Sequence, residues 1–211
     1  MRNMGDEGRK YWDTHAKNYD RSMALLGGPT PHMVELAGEG VRGAARVLEV
    51  AAGKGYVTPA LAAGAKEVVA TDYSAAMVAT LQRRVGDAGL TNVRFEQADL
   101  YALRFEPHTF DAVVAANVLH LVPDLRGALA ALQRVTRPGG RIIVPTYCHD
   151  ETALSWLVSR VLAVTGFPGH RRFTVRSLRE AVEAAGVRVT RSETLPGLIP
   201  ISYIEGTFTD E

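Results

Sequence analysis

The chain has 211 residues, a formal net charge of +1 and 46% apolar residues. This length suits one domain around one core, and the balanced charge provides no general field that would select nucleic acid or an anionic membrane. The single cysteine, Cys148, excludes an internal disulfide and is typical of a reducing compartment. No stretch has the pattern of a signal peptide or of a membrane span. We therefore expect a cytoplasmic protein without integral membrane association and without a nucleic-acid partner.

Strand-like and helix-like segments alternate along most of the chain. Residues 8–40 predict two helices that are broken at Gly27-Gly28-Pro29. The strands predicted after them are Arg46–Val50, Glu67–Thr71, Val93–Gln97, Phe110–Ala115 and Arg141–Pro145, and further helices are predicted near 56–63, 74–88, 123–136 and 174–185. This alternation predicts parallel strand pairing with helices on both faces of the sheet.

The C-terminal part has a different pattern. Val187–Glu193 and Ile199–Thr207 both have strand character, and only Leu195-Pro196-Gly197 marks a turn between them. A connection without a helix predicts a hairpin-like, antiparallel end to the sheet.

The turn after the first strand consists of small residues. Val47–Val50 leads into Ala51-Ala52-Gly53-Lys54-Gly55, and a helical pattern starts at Tyr56. Such a turn lets backbone N–H groups approach a ligand closely. The acidic Glu49 and the incomplete G-x-G-x-x-G distinguish it from a dinucleotide fingerprint. An ordinary strand-to-helix turn is the alternative interpretation.

Two aspartates follow the next strands. Asp72 ends the second strand, where a carboxylate can accept both ribose hydroxyls of an adenosyl ligand; the alternative is a cap for the helix near Ser74. Asp99 follows the third strand and can accept from an adenine amino group, while the next N–H, of Leu100, donates to a ring nitrogen. The alternative for Asp99 is a solvated turn. NAD-binding sites also have an acidic residue at this position. Asp72 therefore indicates an adenosine-containing ligand in general and not a methyl donor in particular.

The order of these motifs resembles a known family. Four motifs follow one another as in class I S-adenosylmethionine-dependent methyltransferases, similar to the ubiquinone- and menaquinone-biosynthesis enzymes and related small-molecule methyltransferases. They are Glu49 with its small-residue loop, Ala-Asp99-Leu, Phe110-Asp111-Ala-Val-Val and Pro138-Gly139-Gly140-Arg-Ile-Ile-Val. The family loop usually reads E/D-x-G-x-G-x-G, whereas Ala51 and Val57 replace its first and third glycines. Pro138-Gly139-Gly140 reads as a turn that leads into the fifth strand.

The resemblance implies an α/β, Rossmann-like fold with a seven-stranded, mostly parallel sheet and an antiparallel last strand. It implies S-adenosylmethionine as cofactor, S-adenosylhomocysteine as product and no metal. By this resemblance Glu49 meets the amino-acid end of the cofactor, Asp72 the ribose and Asp99 the adenine, and Tyr19 closes over the methionine part with a cation–π contribution of about 0.5–2 kcal/mol. The other expected cofactor contacts are Ala51, Gly53, Gly55, Tyr73, Met77, Leu100 and Asn117.

The sequence defines the residues around the methyl acceptor less well than those around the cofactor. Candidate substrate residues are Tyr11, His15, His120, Tyr147 and His149. His120 has the pKa range of a general base, although a histidine bonded to a backbone carbonyl is the alternative. The turn after the fourth strand, which contains Asn117, lacks the N/D-P-P-Y/F sequence that is frequent in methyltransferases acting on base or amide nitrogens. Cys148 and His149 are adjacent and have no partner cluster of further ligands, which argues against a metal site.

We divide the expected single domain into an N-terminal helical cap (1–44), a cofactor-binding core (45–148), a lid-like insertion (149–173) and a C-terminal helix with a strand pair (174–211). The apolar insertion predicts a lid over an apolar pocket, or else a helix packed on the core. The predicted function is methyl transfer to an O, N or S atom of a small, partly apolar molecule. An NAD-linked oxidoreductase and a non-catalytic S-adenosylmethionine-binding protein on the same fold are the alternatives.

Overall fold

The computed structural model describes residues 11–14, 30–164 and 169–209, with the backbone alone for 162–164. Residues 11–14 are helical. The helices that follow are α1 (Pro31–Gly40), α2 (Thr58–Gly64), α3 (Ala75–Asp87), α4 (Leu125–Val135), α5 (Ala153–Val164) and α6 (Val175–Glu183), with a short 3₁₀ helix at Leu100–Ala102. The strands are β1 (Arg46–Glu49), β2 (Glu67–Asp72), β3 (Val93–Gln97), β4 (Phe110–Val114), β5 (Thr136–Ile143), β6 (Thr146–Tyr147), β7 (Val187–Leu195) and β8 (Ile201–Phe208).

The sheet is mixed and mostly parallel. Its strands follow the order β3-β2-β1-β4-β5-β8, and β6 and β7 also pair with β8. Strands β1 to β5 pair in parallel, whereas β8 is antiparallel to β5, β6 and β7. The prediction of a mostly parallel sheet with an antiparallel last strand is thus confirmed. The order reverses between β1 and β4, and open α/β sheets bind ligands at the carboxyl ends of strands at such a point.

The fifth strand differs in detail from the prediction. It starts at Thr136 instead of Arg141, because Thr136 already pairs with Phe110. Residues 137–140 form a bulge, with Gly139 at a φ of 68°, before pairing resumes between Arg141 and Ala112. The expected turn is therefore an irregularity inside the strand, of the kind that a glycine with positive φ allows.

Two strand segments share one position at the far side of the sheet. Strand β6 pairs with Ser202 and Ile201 of β8, while β5 pairs farther along the same strand. Pro145 lies between the two segments and has no N–H to give to a ladder. The eight strands of the described sheet therefore occupy the seven positions expected from the sequence.

Side-chain caps fix where the helices begin. Ser74 accepts from the N–H of Met77 at the start of α3, and Asp124 accepts from the N–H of Gly127 at the start of α4. Thr174 forms a reciprocal capping box with Ser177 at the start of α6. Each such cap satisfies an N–H that the helix itself leaves without a partner.

Alternate residues of the central strands face opposite helical layers. Val47, Val114 and Ile143 pack in one cluster with residues of α1 and α2. Their neighbours Leu48, Val113 and Ile142 pack in another cluster with residues of α4 and α6. Burial on both faces explains why these strands are almost continuously apolar. The expectation of helices on both faces is confirmed.

Within the described ranges, no helix combines the length and the apolar character that a membrane crossing requires.

Candidate functional site

A cleft opens beside the carboxyl ends of β1, β2 and β4, where the strand order reverses. It has a volume of about 800 Å³, including the open solvent at its mouth. Seven of the residues expected from the sequence line it, namely Glu49, Ala51, Gly53, Asp72, Tyr73, Met77 and Asn117. This size and position are those of a small-molecule or cofactor site.

The loop after β1 bends sharply towards the cleft. Ala51, Gly53 and Gly55 all have a positive φ, of 52°, 56° and 77°. A Cβ at Gly53 would meet no atom within 4 Å, whereas a Cβ at Gly55 would lie 2.3 Å from Cδ1 of Leu81. Gly53 therefore leaves its backbone open to a ligand, while Gly55 makes room for α3. Gly55 was expected to contact the cofactor but does not line the cleft.

Asp72 holds this loop from the neighbouring strand. Its Oδ2 accepts from the N–H of Gly53 at 2.8 Å, and its Oδ1 accepts from the N–H of Ser74 at 2.9 Å. The side chain that caps α3 is that of Ser74, so the alternative capping role for Asp72 does not hold. Burial raises the pKa of Asp72 to about 6, although the backbone N–H groups of Ser74, Gly53 and Tyr73 oppose the rise, and the charge of Asp13 adds to it. Each oxygen keeps a further lone pair for a ligand hydroxyl.

Glu49 is a second buried carboxyl in the cleft. It is 1% exposed, and its Oε2 accepts from the hydroxyl of Thr58 at 2.6 Å. Burial raises the pKa of Glu49 to about 8; the Thr58 hydrogen bond opposes this rise and the charge of Asp72 adds to it. Glu49 is therefore largely protonated at neutral pH until a cation lies beside it. Lys54 also lines the cleft and is 5% exposed.

The helical segment at residues 11–14 closes one side of the cleft. Trp12 lines it, and the hydroxyl of Ser74 donates to Oδ1 of Asp13 at 2.5 Å. The ring of Tyr11 stands edge-on to that of Trp12 at 5.1 Å, and burial raises the pKa of Tyr11. The predicted contacts of His15 and Tyr19 lie outside the described residues.

Asn117 has an unusual backbone and an unused acceptor. Its φ is 52°, its N–H donates to the carbonyl of Pro145 at 2.7 Å, and its Nδ2 lies 3.8 Å from the sulfur of Met33. Its Oδ1 is buried and has no hydrogen-bond partner among the described residues. Since buried polar atoms normally have a partner, this oxygen fits a donor group of a bound ligand.

Asp99 and Leu100 do not line the cleft. Oδ1 of Asp99 accepts from the N–H of Tyr101 at 2.9 Å and caps the 3₁₀ helix. Leu100 is buried in the apolar cluster below α4. Their expected role at the adenine remains a prediction.

Three predicted acceptor residues meet in a buried cluster. The ring of His120 lies 5.2 Å from that of His149 and 5.9 Å from that of Tyr147. Their side chains are 2%, 6% and 8% exposed, respectively, and they do not line the cleft. The structure thus brings together His120, Tyr147 and His149, as the sequence suggested. All three are buried, however, and none of them lines the cleft.

Burial keeps this histidine cluster neutral. The pKa of His120 is lowered well below its usual value by burial and by His149. Burial and the charge of Arg172 lower the pKa of His149 to about 4, although Asp150 opposes them. Nδ1 of His149 lies 2.7 Å from the hydroxyl of Ser159 on α5. Both imidazoles are therefore uncharged at neutral pH, and a catalytic role for His120 remains a prediction.

Cys148 is unsuited to nucleophilic chemistry. It is fully buried, and burial raises the pKa of its thiol to about 12. The thiol is therefore protonated at neutral pH, and the thiolate is the reactive form. Among the described residues, no three side chains of histidine, cysteine or acid form a group that could hold a metal ion.

The sequence did not identify several apolar walls of the cleft. These are Trp12, Met33, Tyr56, Val57, Val118 and Leu121. Trp12 is next to Tyr11, which was named, and Val118 and Leu121 flank His120. Met33 lies on α1, far from every motif in the chain, so only the tertiary packing brings it to the site.

Comparisons with known proteins agree with this geometry. Residues 48–144 match the protein-family model for a methyltransferase domain. A demethylmenaquinone methyltransferase of Clavibacter sepedonicus is 37% identical over 158 residues, which cover 71% of this chain and 60% of the relative. A ubiquinone/menaquinone biosynthesis C-methyltransferase UbiE of Cellvibrio japonicus is 34% identical over 145 residues, or 64% of this chain and 58% of the relative.

A solved structure is similar over nearly the whole fold. A SAM-dependent methyltransferase from Aquifex aeolicus superimposes with a TM-score of 0.71 at 21% identity and covers 93% of this chain and 98% of its own. At this identity the likeness concerns the fold. The chain spans between 52% and 60% of the length of the first curated relatives that it matches.

Proposed function

Because the chain belongs to the class I S-adenosylmethionine-dependent methyltransferase family, we propose that it transfers the methyl group of this cofactor to a small, partly apolar acceptor. The observation that carries the proposal is the cleft itself. It combines a loop with exposed backbone, two buried carboxyls on adjacent strands and apolar walls at the topological switch point.

The residues of the cleft fit the cofactor. Asp72 is placed to accept ribose hydroxyls with lone pairs that its two backbone bonds leave available. Glu49 suits the ammonium group at the amino-acid end, since a cation there would offset the burial of the carboxylate. The N–H of Gly53 already donates to Asp72, but the space beside this glycine leaves room for a ligand, and the unpartnered Oδ1 of Asn117 can accept from it. These four features lie around one cavity and require no metal.

The cofactor supplies an electrophilic methyl group, and the chain has to orient the nucleophile behind it. Holding two reactants in line and excluding water can lower a barrier by roughly 7–11 kcal/mol. Trp12, Met33 and Leu121 supply apolar walls that exclude water from this part of the cleft. Because His120 and His149 are buried and do not line the cleft, we assign the pair no step in the transfer.

The atom that accepts the methyl group has four candidates, namely oxygen, nitrogen, sulfur and carbon. The sequence suggested O, N or S, but one relative is named a C-methyltransferase and another acts, by its name, on demethylmenaquinone. We therefore add carbon and place it first. In such a transfer a ring carbon made electron-rich by an adjacent hydroxyl forms the new C–C bond, the C–S bond breaks, and the ring carbon then loses its proton.

Calorimetry and a methyl-transfer assay test this function. We expect S-adenosylhomocysteine to bind and NAD to show no binding. Transfer of a labelled methyl group is then measured to a naphthoquinol, a catechol, an amine and a thiol, with Asp72→Ala as a matched variant that should need a higher cofactor concentration. Binding of NAD without S-adenosylhomocysteine would support the oxidoreductase alternative. Cofactor binding without transfer to any acceptor would support a binding protein instead.

A further inference from the structure

Helix α5 turns its polar side inward and its apolar side outward. Ser155 and Ser159 are 0% and 5% exposed, whereas Leu154, Leu157 and Val161 are 52%, 55% and 61% exposed. Spacings of three and four residues place these three apolar side chains on one face of the helix. A helix on the surface of a globular domain normally has the opposite arrangement.

Contacts between Ser159 and His149 join the helix to the rest of the fold. The hydroxyl of Ser159 lies 2.7 Å from Nδ1 of His149 and 3.3 Å from its carbonyl oxygen. The bonds of Ser159 to the Ser155 carbonyl and of the Thr152 N–H to the Ser155 hydroxyl lie within the helix and its first turn. Rotating the helix to bury its leucines would break the contact with His149 and expose the two serines. The outward apolar side is therefore a stable feature of the fold.

The same face has a positive charge. Trp156 is 46% exposed, and the guanidinium of Arg160 lies over its ring, 5.0 Å from the centroid. Arg160 is the one charged residue of α5, whereas exposed Asp150 and Glu151 precede the helix and Arg171 donates to the carbonyl of Pro123. The charge within α5 itself is therefore positive.

We propose that this face of α5, formed by Leu154, Trp156, Leu157, Arg160 and Val161, docks on an anionic lipid bilayer. Its apolar side chains would enter the boundary of the acyl chains, while the indole and the guanidinium lie at the headgroups. Anionic headgroups complement the charge of Arg160. A second copy of the chain is a poorer occupant, because a two-fold contact through this face would bring together two like-charged Arg160 side chains.

The position of α5 connects the bilayer with the cleft. Val158, on the inner side of the helix, packs on the apolar cluster that contains Met33 and Val57, and both of these residues line the cleft. A partly apolar acceptor, which rests on the proposed function, would partition into the same bilayer and reach the cleft from there. Lipid binding itself does not depend on catalysis and is tested without turnover.

Vesicle flotation of the full chain tests the docking. We expect binding to vesicles of phosphatidylglycerol with phosphatidylcholine and little binding to phosphatidylcholine alone. Arg160→Glu should reduce partitioning by more than the roughly fivefold that one basic side chain contributes. Arg179→Glu on α6 makes the same change in net charge elsewhere and should retain the parent partitioning. Equal losses of vesicle binding in the two variants would show that only the overall charge of the chain matters, and would overturn the proposal.

The apolar side chains need a separate test. Leu157→Gln/Val161→Gln should lower partitioning by at least about tenfold, because two apolar side chains no longer enter the bilayer. Leu198→Gln, at an exposed leucine outside α5, should have no such effect. Emission of Trp156 in a Trp12→Phe background should shift to the blue on vesicle binding. An unshifted emission, or a dimer in light scattering that the double variant dissociates, would overturn lipid docking.

Discussion

Two buried groups of titratable side chains lie close to the same sheet edge and respond to pH in opposite ways. In the cleft, burial raises the pKa values of Glu49 and Asp72. In the cluster next to it, burial lowers those of His120 and His149. The carboxyls line an open cavity in which a cationic ligand can stabilise their charged forms. The imidazoles are enclosed and remain neutral. Burial thus favours the uncharged form of both groups, but only the carboxyls line a cavity in which a cation could lie beside them.

The largest expected effect concerns Glu49. Its folded-state pKa of about 8 exceeds the ordinary value of 4.5, so its contribution to stability is intact below pH 4.5 and is lost as pH rises to about 8. At about 1.4 kcal/mol per pH unit, the loss is at most about 5 kcal/mol. Glu49→Gln keeps an acceptor for Thr58 without a titrating group. Denaturant unfolding from pH 5 to 9 should show a flatter curve for the variant, and parallel curves would contradict the raised pKa.

The second effect has the opposite sign and concerns His149. Its folded-state pKa of about 4 is below the ordinary value of 6.5, so its contribution to stability is intact above pH 6.5 and is lost as pH falls to about 4. The corresponding loss is at most about 3 kcal/mol. His149→Asn keeps a donor near Ser159 but does not titrate in this range. The free energy of unfolding of the variant should therefore fall less between pH 6.5 and 4. The same fall in both proteins would place the acid sensitivity elsewhere.

The sequence predicted residues that line the cleft better than it predicted the burial of the candidate acceptor residues. Glu49, Gly53 and Asp72 belong to local motifs at strand ends, and the parallel sheet brings such ends to one edge. His120, Tyr147 and His149 also follow strand ends, and their meeting is consistent with that rule. Their burial depends on α5 and on chain segments far away in the sequence. For this reason no local pattern could show that their side chains are closed off from the cleft.

The fold was predictable for a similar reason and differs at similar places. Alternating apolar strands and capped helices carry their own signals, so the parallel core and the antiparallel end were found. The bulge at Gly139 was read as a turn because a glycine with positive φ serves both structures. The sequence could not show that α5 exposes its apolar side, because its serines face inward only through partners such as His149.

The third prediction tests the cleft against the enclosed cluster through ligand binding. Asp72→Ala removes the expected acceptor for the ribose and the anchor of the Gly53 and Ser74 N–H groups. We expect the affinity for S-adenosylhomocysteine to fall by about 1–3 kcal/mol. Tyr147→Phe alters only the enclosed cluster and should leave this affinity unchanged. Calorimetry on both folded variants decides the point, and equal affinities would remove Asp72 from the ligand site.

The smallest expected effect concerns strain in the loop of the cleft. Ala51 has a φ of 52°, which costs an L-residue about 1–2 kcal/mol, and it stands where the family loop usually has glycine. Ala51→Gly removes this strain but adds about 0.5–1 kcal/mol of entropy to the unfolded chain. We therefore expect a net gain of up to about 1 kcal/mol in the free energy of unfolding. Ala52→Gly is the matched control, because the φ of Ala52 is not positive and the variant should only lose stability. Equal losses in the two variants would show that the loop relaxes around alanine, and that the cleft stores no strain at this position.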